Sequence, residues 1–292
     1  MVNVVDVFNR ENVRRVFRDV QKHRLIEQLI RRFSTNKDDI RHMTFRKHDF
    51  SNCRDILELG CAFGAFTEAL KGRLHQSAHI RGIDIIHEYK KYFLEACRRA
   101  DYEGTFSAGG VEEIKKYESD TFDLVLCSYA LYFFPHVIAE IPRILREDGI
   151  FITITHSRHD MQELITLTKK ILKQNALLDD QQVLPIEIVV GRFSAENGKK
   201  QLRPYFHSIK STDFKNQLIF EPQEIDYFMQ YFHFKKSFFL VGTEAERKDI
   251  VSQLSEALAD EAAKDKKIIM SKNDRIFICS QPVKPSAVGG QS

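Results

Sequence analysis

An α/β fold with a doubly wound, mostly parallel sheet is what this sequence predicts. Three observations lead there: short continuous apolar runs, helical periodicity between them, and acidic or glycine-bearing turns where one period gives way to the other. Five strands alternate with helices over about a hundred residues, as right-handed parallel crossovers require.

The first strand and its turn are the most specific. In residues 55–70, Ile56, Leu57 and Leu59 form a run suited to a strand covered on both faces, and Phe63, Phe66, Ala69 and Leu70 then recur at helical spacing. Gly60 and Gly64 allow a sharp turn and a close ligand approach, while the following helix offers free N–H groups. This favours a bound nucleoside. A dinucleotide fingerprint needs Gly-x-Gly-x-x-Gly, and Ala62 stands where its middle glycine would admit a pyrophosphate. The pattern Glu58-x-Gly60-x-x-x-Gly64 resembles motif I of the class I S-adenosylmethionine-dependent methyltransferases, which usually carry a third glycine at the place of Ala62. An ordinary strand, turn and helix of another α/β protein has the same local pattern.

The later segments extend the resemblance. Residues 80–85 read as a second strand ending at Asp84, where an acid can accept hydrogen bonds from both ribose hydroxyls; a solvated acid opening the next helix is the alternative. Residues 105–113 resemble the family segment that packs on adenine, with Gly110 where an Asp is usual. In residues 121–136, similar to motif IV, Asp123 opens a fourth strand, Leu124 to Leu126 are core, and Cys127, Ser128 and Tyr129 reach the carboxyl edge. A helix over 137–146, a turn over 147–149 and a fifth strand over 150–155 follow. The resemblance implies a seven-stranded Rossmann-like sheet and S-adenosyl-L-methionine as cofactor, released as S-adenosyl-L-homocysteine. It places the cofactor on Glu58, Gly60, Cys61, Ala62, Phe63, Gly64, Asp84, Ile85, Val111, Glu112, Cys127 and Ser128.

Composition agrees with a globular protein. The 292 residues are 43% hydrophobic and 29% charged, and a net charge of +3 gives little long-range pull on a polyanion. Basic residues gather in the first fifty positions, where a solvated helical face explains them better than a nucleic-acid patch, and no aromatic-rich RNA motif accompanies them. The Asn/Asp-Pro-Pro-aromatic tetrapeptide of nucleobase amino methyltransferases is not matched by residues 127–130. Five scattered cysteines without metal spacing suggest a reducing compartment, with Cys61 and Cys127 read by default as small buried residues. Eleven histidines show no metal-binding motif, so no metal is expected. Charges at Asp6, Arg10 and Glu11 argue against a signal peptide, and no run of eighteen apolar residues exists, so a cytoplasmic protein with no membrane partner is expected.

Five regions follow: a helical cap over 1–50, the Rossmann-like cofactor-binding core over 51–157, a lid insertion over 158–207, completion of the sheet with added helices over 208–281, and a disordered tail over 282–292. Residues 7–33 suit one or two amphipathic helices. In the insertion, 161–172 reads as helix, 176–191 as irregular and 194–206 as helix again; segments 193–206 and 214–220 resemble bacterial small-molecule methyltransferases. Residues 208–220 suit a sixth strand, and Pro222 starts a helix reaching about Phe232. Residues 243–246 resemble a capping box for a helix to about Ala263, and 268–270 with 275–279 read as a hairpin.

Methyl transfer asks for alignment and exclusion of water, and positioning alone can supply roughly 7–11 kcal/mol. A base is optional, and His156 is the candidate, ahead of His136 and His159; a hydrogen-bonding role at a strand end is the competing reading. Tyr129, Tyr132 and Phe133 are candidates to line the acceptor pocket, where aromatic faces stack on planar groups or attract amines; packing beneath a lid explains the same residues. The expected activity is N- or O-methylation of a small molecule. Aminopropyl transfer with a related cofactor and a non-catalytic nucleoside-binding role are the alternatives.

Overall fold

The computed structural model describes residues 10–240, 248–264 and 266–284. The chain forms two units: the first comprises Met1–Asp38, His156–Ser194 and Asp213–Asp274, the second Asp39–Thr155, Ala195–Thr212 and Arg275–Ser292. Segment 158–207 is thus divided between them.

The second unit carries the predicted sheet. β1 (Asp55–Leu59), β2 (His79–Asp84), β3 (Glu103–Ala108), β4 (Phe122–Ser128), β5 (Leu145–His156), β6 (Phe206–Phe214) and β9 (Asp274–Pro282) form seven strands in the order β3-β2-β1-β4-β5-β9-β6. The pairs β1 with β2, β1 with β4, β2 with β3 and β4 with β5 are parallel. Chain direction across the sheet therefore reverses between β1 and β4, the switch point at which open α/β sheets leave a crevice beyond the strands' carboxyl ends. Ile56, Leu57, Leu59, Leu124, Val125 and Leu126 are wholly buried, as the unbroken apolar runs required. Each such side chain contributes about 1.5–3 kcal/mol on leaving water.

At the opposite edge, ion pairs fix the start of the strands. Asp123 Oδ2 accepts from the backbone N–H groups of Arg54 and Asp55 at 2.7 and 2.9 Å, and Arg146 bridges Asp123 and Asp55. Before β1 lies α3 (Ile40–Phe45); the helix at the turn, α4 (Ala65–Glu68), is a single turn, and α5 (Lys90–Arg99) packs Phe93 and Cys97 into the sheet core.

The first unit contains α1 (Arg10–Phe17), α2 (Val20–Phe33), α7 (Gln162–Gln174), α8 (Pro185–Arg192), α10 (Ile225–Leu240) and α11 (Lys248–Ala263). Its two-stranded sheet pairs β7 (Gln217–Phe220) with β8 (Ile268–Ser271), antiparallel. Asp19 caps α2 by accepting from Lys22 N at 3.0 Å, and Val20, Ile26, Leu29 and Phe33 are buried along one face.

Several expectations are corrected. Residues 208–220 are two strands in different sheets, because Asn216 breaks the run: its side chain donates to Ser34 Oγ at 2.8 Å and accepts from Asn36 N at 3.0 Å. The hairpin of 268–270 with 275–279 does not form. Ser271 O accepts from Met161 N, Asn273 O from Ser157 N, and Lys272 N donates to Asn216 O, so the connecting groups are bonded elsewhere and β8 pairs with β7 instead. Residues 176–191 are not wholly irregular: α8 starts at Pro185, and Glu187 accepts from Leu184 N at 2.7 Å. The helix expected over 194–206 shrinks to α9 (Gly198–Leu202), and that over 137–146 to a 3₁₀ turn and α6 (Ile141–Ile144), after which Leu145 pairs with Phe122. The capping box at 243–246 lies outside the described residues. Tail residue Lys284 is held by Asp120 and by the carbonyls of Pro142 and Leu145. Among the described residues no helix is long and apolar enough to cross a membrane.

Candidate active site

At the switch point, the turn after β1 is tied to the end of β2. Gly60 N and Cys61 N donate to Ile83 O at 2.8 and 3.3 Å, and Ala62 N donates to Asp84 Oδ2 at 3.0 Å. The other carboxylate oxygen, Oδ1, accepts from Ile86 N at 2.9 Å. Asp84 thus splints two loops. A carboxylate has about four acceptor positions, so these bonds, with Ile85 N as a third backbone donor, still leave room for a ribose hydroxyl. Burial raises the Asp84 pKa to about 6, against the backbone donors Ile86, Ala62 and Ile85.

The turn alternates into the left-handed region at Gly60 (φ +65°), Ala62 (φ +45°) and Gly64 (φ +79°). A Cβ on Gly60 would lie 2.6 Å from Ala130 Cβ, and one on Gly64 would lie 2.6 Å from Ala96 Cβ. These two glycines are demanded by the protein's own packing, a stronger reason than the ligand approach expected from the sequence. Ala62 has an L side chain in a conformation that costs roughly 1–2 kcal/mol, which explains why a glycine suits that position.

The other predicted cofactor residues divide by burial. Glu58 is 2% exposed and accepts from Thr67 Oγ1. Burial pushes its pKa up to about 8, with Thr67 opposing and Asp84 reinforcing the shift. Cys61 faces the interior: a Cβ on Gly82 would meet its Sγ at 2.7 Å. Cys127 is wholly buried, and burial lifts both thiols well above their ordinary pKa, as structural cysteines require. Phe63 and Ile85 are half-buried, with Phe63 edge-on to Tyr89 at 6.2 Å. Val111 is buried at the start of a 3₁₀ turn, Val111–Lys116, while Glu112 is exposed. Ser128, at the carboxyl end of β4, has a buried Oγ without a hydrogen-bond partner.

Of the acceptor candidates, Tyr129 takes φ +55°, and its ring centroid lies 6.4 Å from that of Phe66. Tyr132 is buried, and its ring meets that of half-buried Phe133 at 4.8 Å and 61°. Sequence reasoning missed Ala130 and Phe134 as neighbours of Gly60; Phe134 Cζ would be 3.9 Å from a Cβ there. Two small residues meeting across a switch point leave no periodic signature.

His156 is the last residue of β5 and is buried, whereas His136 and His159 are exposed. Its Nδ1 lies 2.7 Å from Asp274 Oδ1, 3.0 Å from Lys272 Nζ and 3.7 Å from Asp160 Oδ2. None of these three partners was marked by the sequence, which read Lys272 and Asp274 as part of a hairpin turn.

The comparisons with known proteins agree with this architecture. A family model described as a methyltransferase domain matches residues 50–231. No curated protein matches the chain. Among solved structures, YcgJ from Bacillus subtilis is similar at 16% identity and a TM-score of 0.51, covering 82% of this chain and 97% of its own. A Bacillus halodurans protein crystallised as a candidate methyltransferase is 11% identical with a TM-score of 0.52, over 85% of this chain and all of its own. Identities this low show a shared fold. The family match spans more than half of the 292 residues, and the chain therefore belongs to the methyltransferase domain family, as an S-adenosylmethionine-dependent enzyme on a Rossmann-like sheet.

Proposed function

We propose that this enzyme methylates a small molecule at nitrogen or oxygen, with the cofactor held in the switch-point crevice by the turn over 60–64, Asp84, Ile85, Val111, Glu112 and Ser128. Two features fit such a nucleoside: Asp84 retains acceptor capacity for a ribose hydroxyl beside its backbone donors, and the orphaned Ser128 Oγ is a buried polar atom in need of a partner. Glu58, Cys61 and Cys127 support the turn from behind. When bound, the sulfonium supplies an activated methyl group; the chain's own task is to align the acceptor and keep water out.

The observation that carries the reading is Asp84, the last residue of β2, whose carboxylate binds both the glycine turn and the start of the next loop. Tyr132 and Phe133, packed edge to face, offer an aromatic wall suited to a planar or amine acceptor. His156 is the proposed base where the acceptor must lose a proton.

A metabolite extract incubated with S-adenosylmethionine and searched by mass spectrometry should yield species heavier by one methyl group, with S-adenosylhomocysteine released. At cofactor concentrations near the wild-type Kd, the products should fall sharply with Asp84→Ala. With decarboxylated S-adenosylmethionine supplied instead, release of methylthioadenosine would favour aminopropyl transfer, and cofactor binding without any product across amines, phenols, carboxylic acids and RNA would favour a binding role.

A further inference from the structure

Four ionisable side chains meet inside the first unit. His156 ends β5 and Asp160 lies four residues on, in the turn before α7, while Lys272 follows β8 and Asp274 opens β9; all four are buried. Lys272 Nζ stands 3.0 Å from His156 Nδ1 and 3.4 Å from both Asp160 Oδ1 and Asp274 Oδ1. The His156, Asp160 and Asp274 ligand atoms lie within 4.8 Å of one another, the reach of a metal-binding set. An ammonium already stands among them, so the chain itself supplies the positive charge that an ion would bring. Burial works against that charge, yet Asp160 and Asp274 hold the Lys272 pKa above the ordinary lysine value. Lys235 on α10 also senses both carboxylates; burial and Lys272 pull its pKa to about 8.

One ring nitrogen cannot satisfy both neighbours. Nδ1 donates to Asp274 only when it carries the proton, and accepts from Lys272 only when it does not. Three observations favour donation to Asp274. The 2.7 Å separation from Asp274 Oδ1 has the length of a charge-assisted bond. Lys272 has two carboxylates to donate to besides the ring. Asp160 Oδ2, without a hydrogen bond, places a second negative oxygen 3.7 Å from Nδ1. We propose that Asp274 is a positioning residue that keeps the His156 proton on Nδ1, with Lys272 and Asp160 fixing the carboxylate, so that the ring's lone pair is on Nε2. The functional meaning rests on the reading of His156 as the base. In that role the acceptor's N–H or O–H bond breaks, its electron pair stays on the acceptor, and the proton forms a bond to Nε2. The resulting imidazolium faces the carboxylates of Asp274 and Asp160, which lie 2.7 and 3.7 Å from Nδ1, with the Lys272 ammonium beside them and that of Lys235 in electrostatic reach.

Long-range proton–nitrogen correlation spectra of the full-length, nitrogen-15-labelled protein report the tautomer directly, with His156→Gln assigning the ring. At a pH where that ring is neutral, wild type should show a protonated Nδ1 and a lone pair on Nε2. Asp274→Asn, which keeps an acceptor oxygen, should preserve the pattern. Asp274→Ala leaves Lys272 as the donor to Nδ1 and should reverse it. A wild-type ring protonated on Nε2 overturns the inference, as does an unchanged tautomer in Asp274→Ala; if that variant does not fold, the wild-type spectrum decides alone. With an acceptor in hand, Asp274→Ala should lower kcat by about 10²-fold, the lower range for losing a general base, and leave KM nearly unchanged. The predicted spectra together with an unaltered kcat would keep the tautomer assignment and sink the reading of His156 as base.

Discussion

The turn over 60–64 and the cluster around Lys272 handle polar groups in opposite ways. In the turn, backbone donors are bonded to β2 and Asp84, while Asp84 keeps acceptor positions and Ser128 Oγ has no partner. In the cluster, charged side chains neutralise one another in a buried setting, with Asp160 Oδ2 the exception. The first arrangement leaves polar capacity for a ligand; the second directs it inward to hold one ring. The proposed binding site and the proposed positioning network thus differ in which hydrogen-bonding positions the protein leaves open.

The largest expected effect is in the cluster. Lys272→Met leaves two buried carboxylates without their cation, and removing one partner of a buried pair costs roughly 3–5 kcal/mol. Urea unfolding measures it, and a loss below about 1 kcal/mol would mean the cluster is wetter than its burial indicates. Asp84→Ala should weaken S-adenosylhomocysteine binding in calorimetry by about 10–100-fold, the equivalent of one hydrogen bond to a charged group at about 1.5–3 kcal/mol. Retained affinity would assign Asp84 to the turn alone.

Glu58 sharpens the contrast through pH. Its pKa rises from 4.5 to about 8 on folding, chiefly by burial, so the native state binds the proton more tightly than the unfolded chain does. The stabilisation linked to that proton is complete below about pH 4.5 and lost as pH rises to about 8. In Glu58→Gln, whose amide oxygen can still accept from Thr67, the stability curve should be flatter across that window; an unchanged slope would place the titration elsewhere. The smallest effect is Ala62→Gly. Relief of about 1–2 kcal/mol of left-handed strain, offset by about 0.4–1 kcal/mol of added unfolded-state entropy, should raise stability by up to about 1.6 kcal/mol, read as a higher Tm.

Much of the second unit was legible because its signals are local. Ile56 to Leu59 and Leu124 to Leu126 announce buried strands, Gly60 and Gly64 mark the turn, and Asp84 ends β2 where an acid was expected. The reason for the glycines was less legible, since Ala96 and Ala130 lie 32 and 70 residues from Gly64 and Gly60 and the contacts arise from how α5 and the chain beyond β4 pack. Beyond the core, local reading faltered where side-chain amides redirect the chain: Asn216 splits a long extended segment, and bonds to Met161 N, Ser157 N and Asn216 O separate β8 from β9.

Strand periodicity, the acidic glycine turn and the acid closing the second strand were enough to identify a nucleoside-binding sheet, because each depends on neighbours within a few residues. The partners of His156 were decided only by folding, since Asp274 Oδ1 comes from 118 residues away. No spacing rule records such a meeting: a lysine between two apolar segments looks like a solvated turn until packing removes the water and leaves two carboxylates as its company.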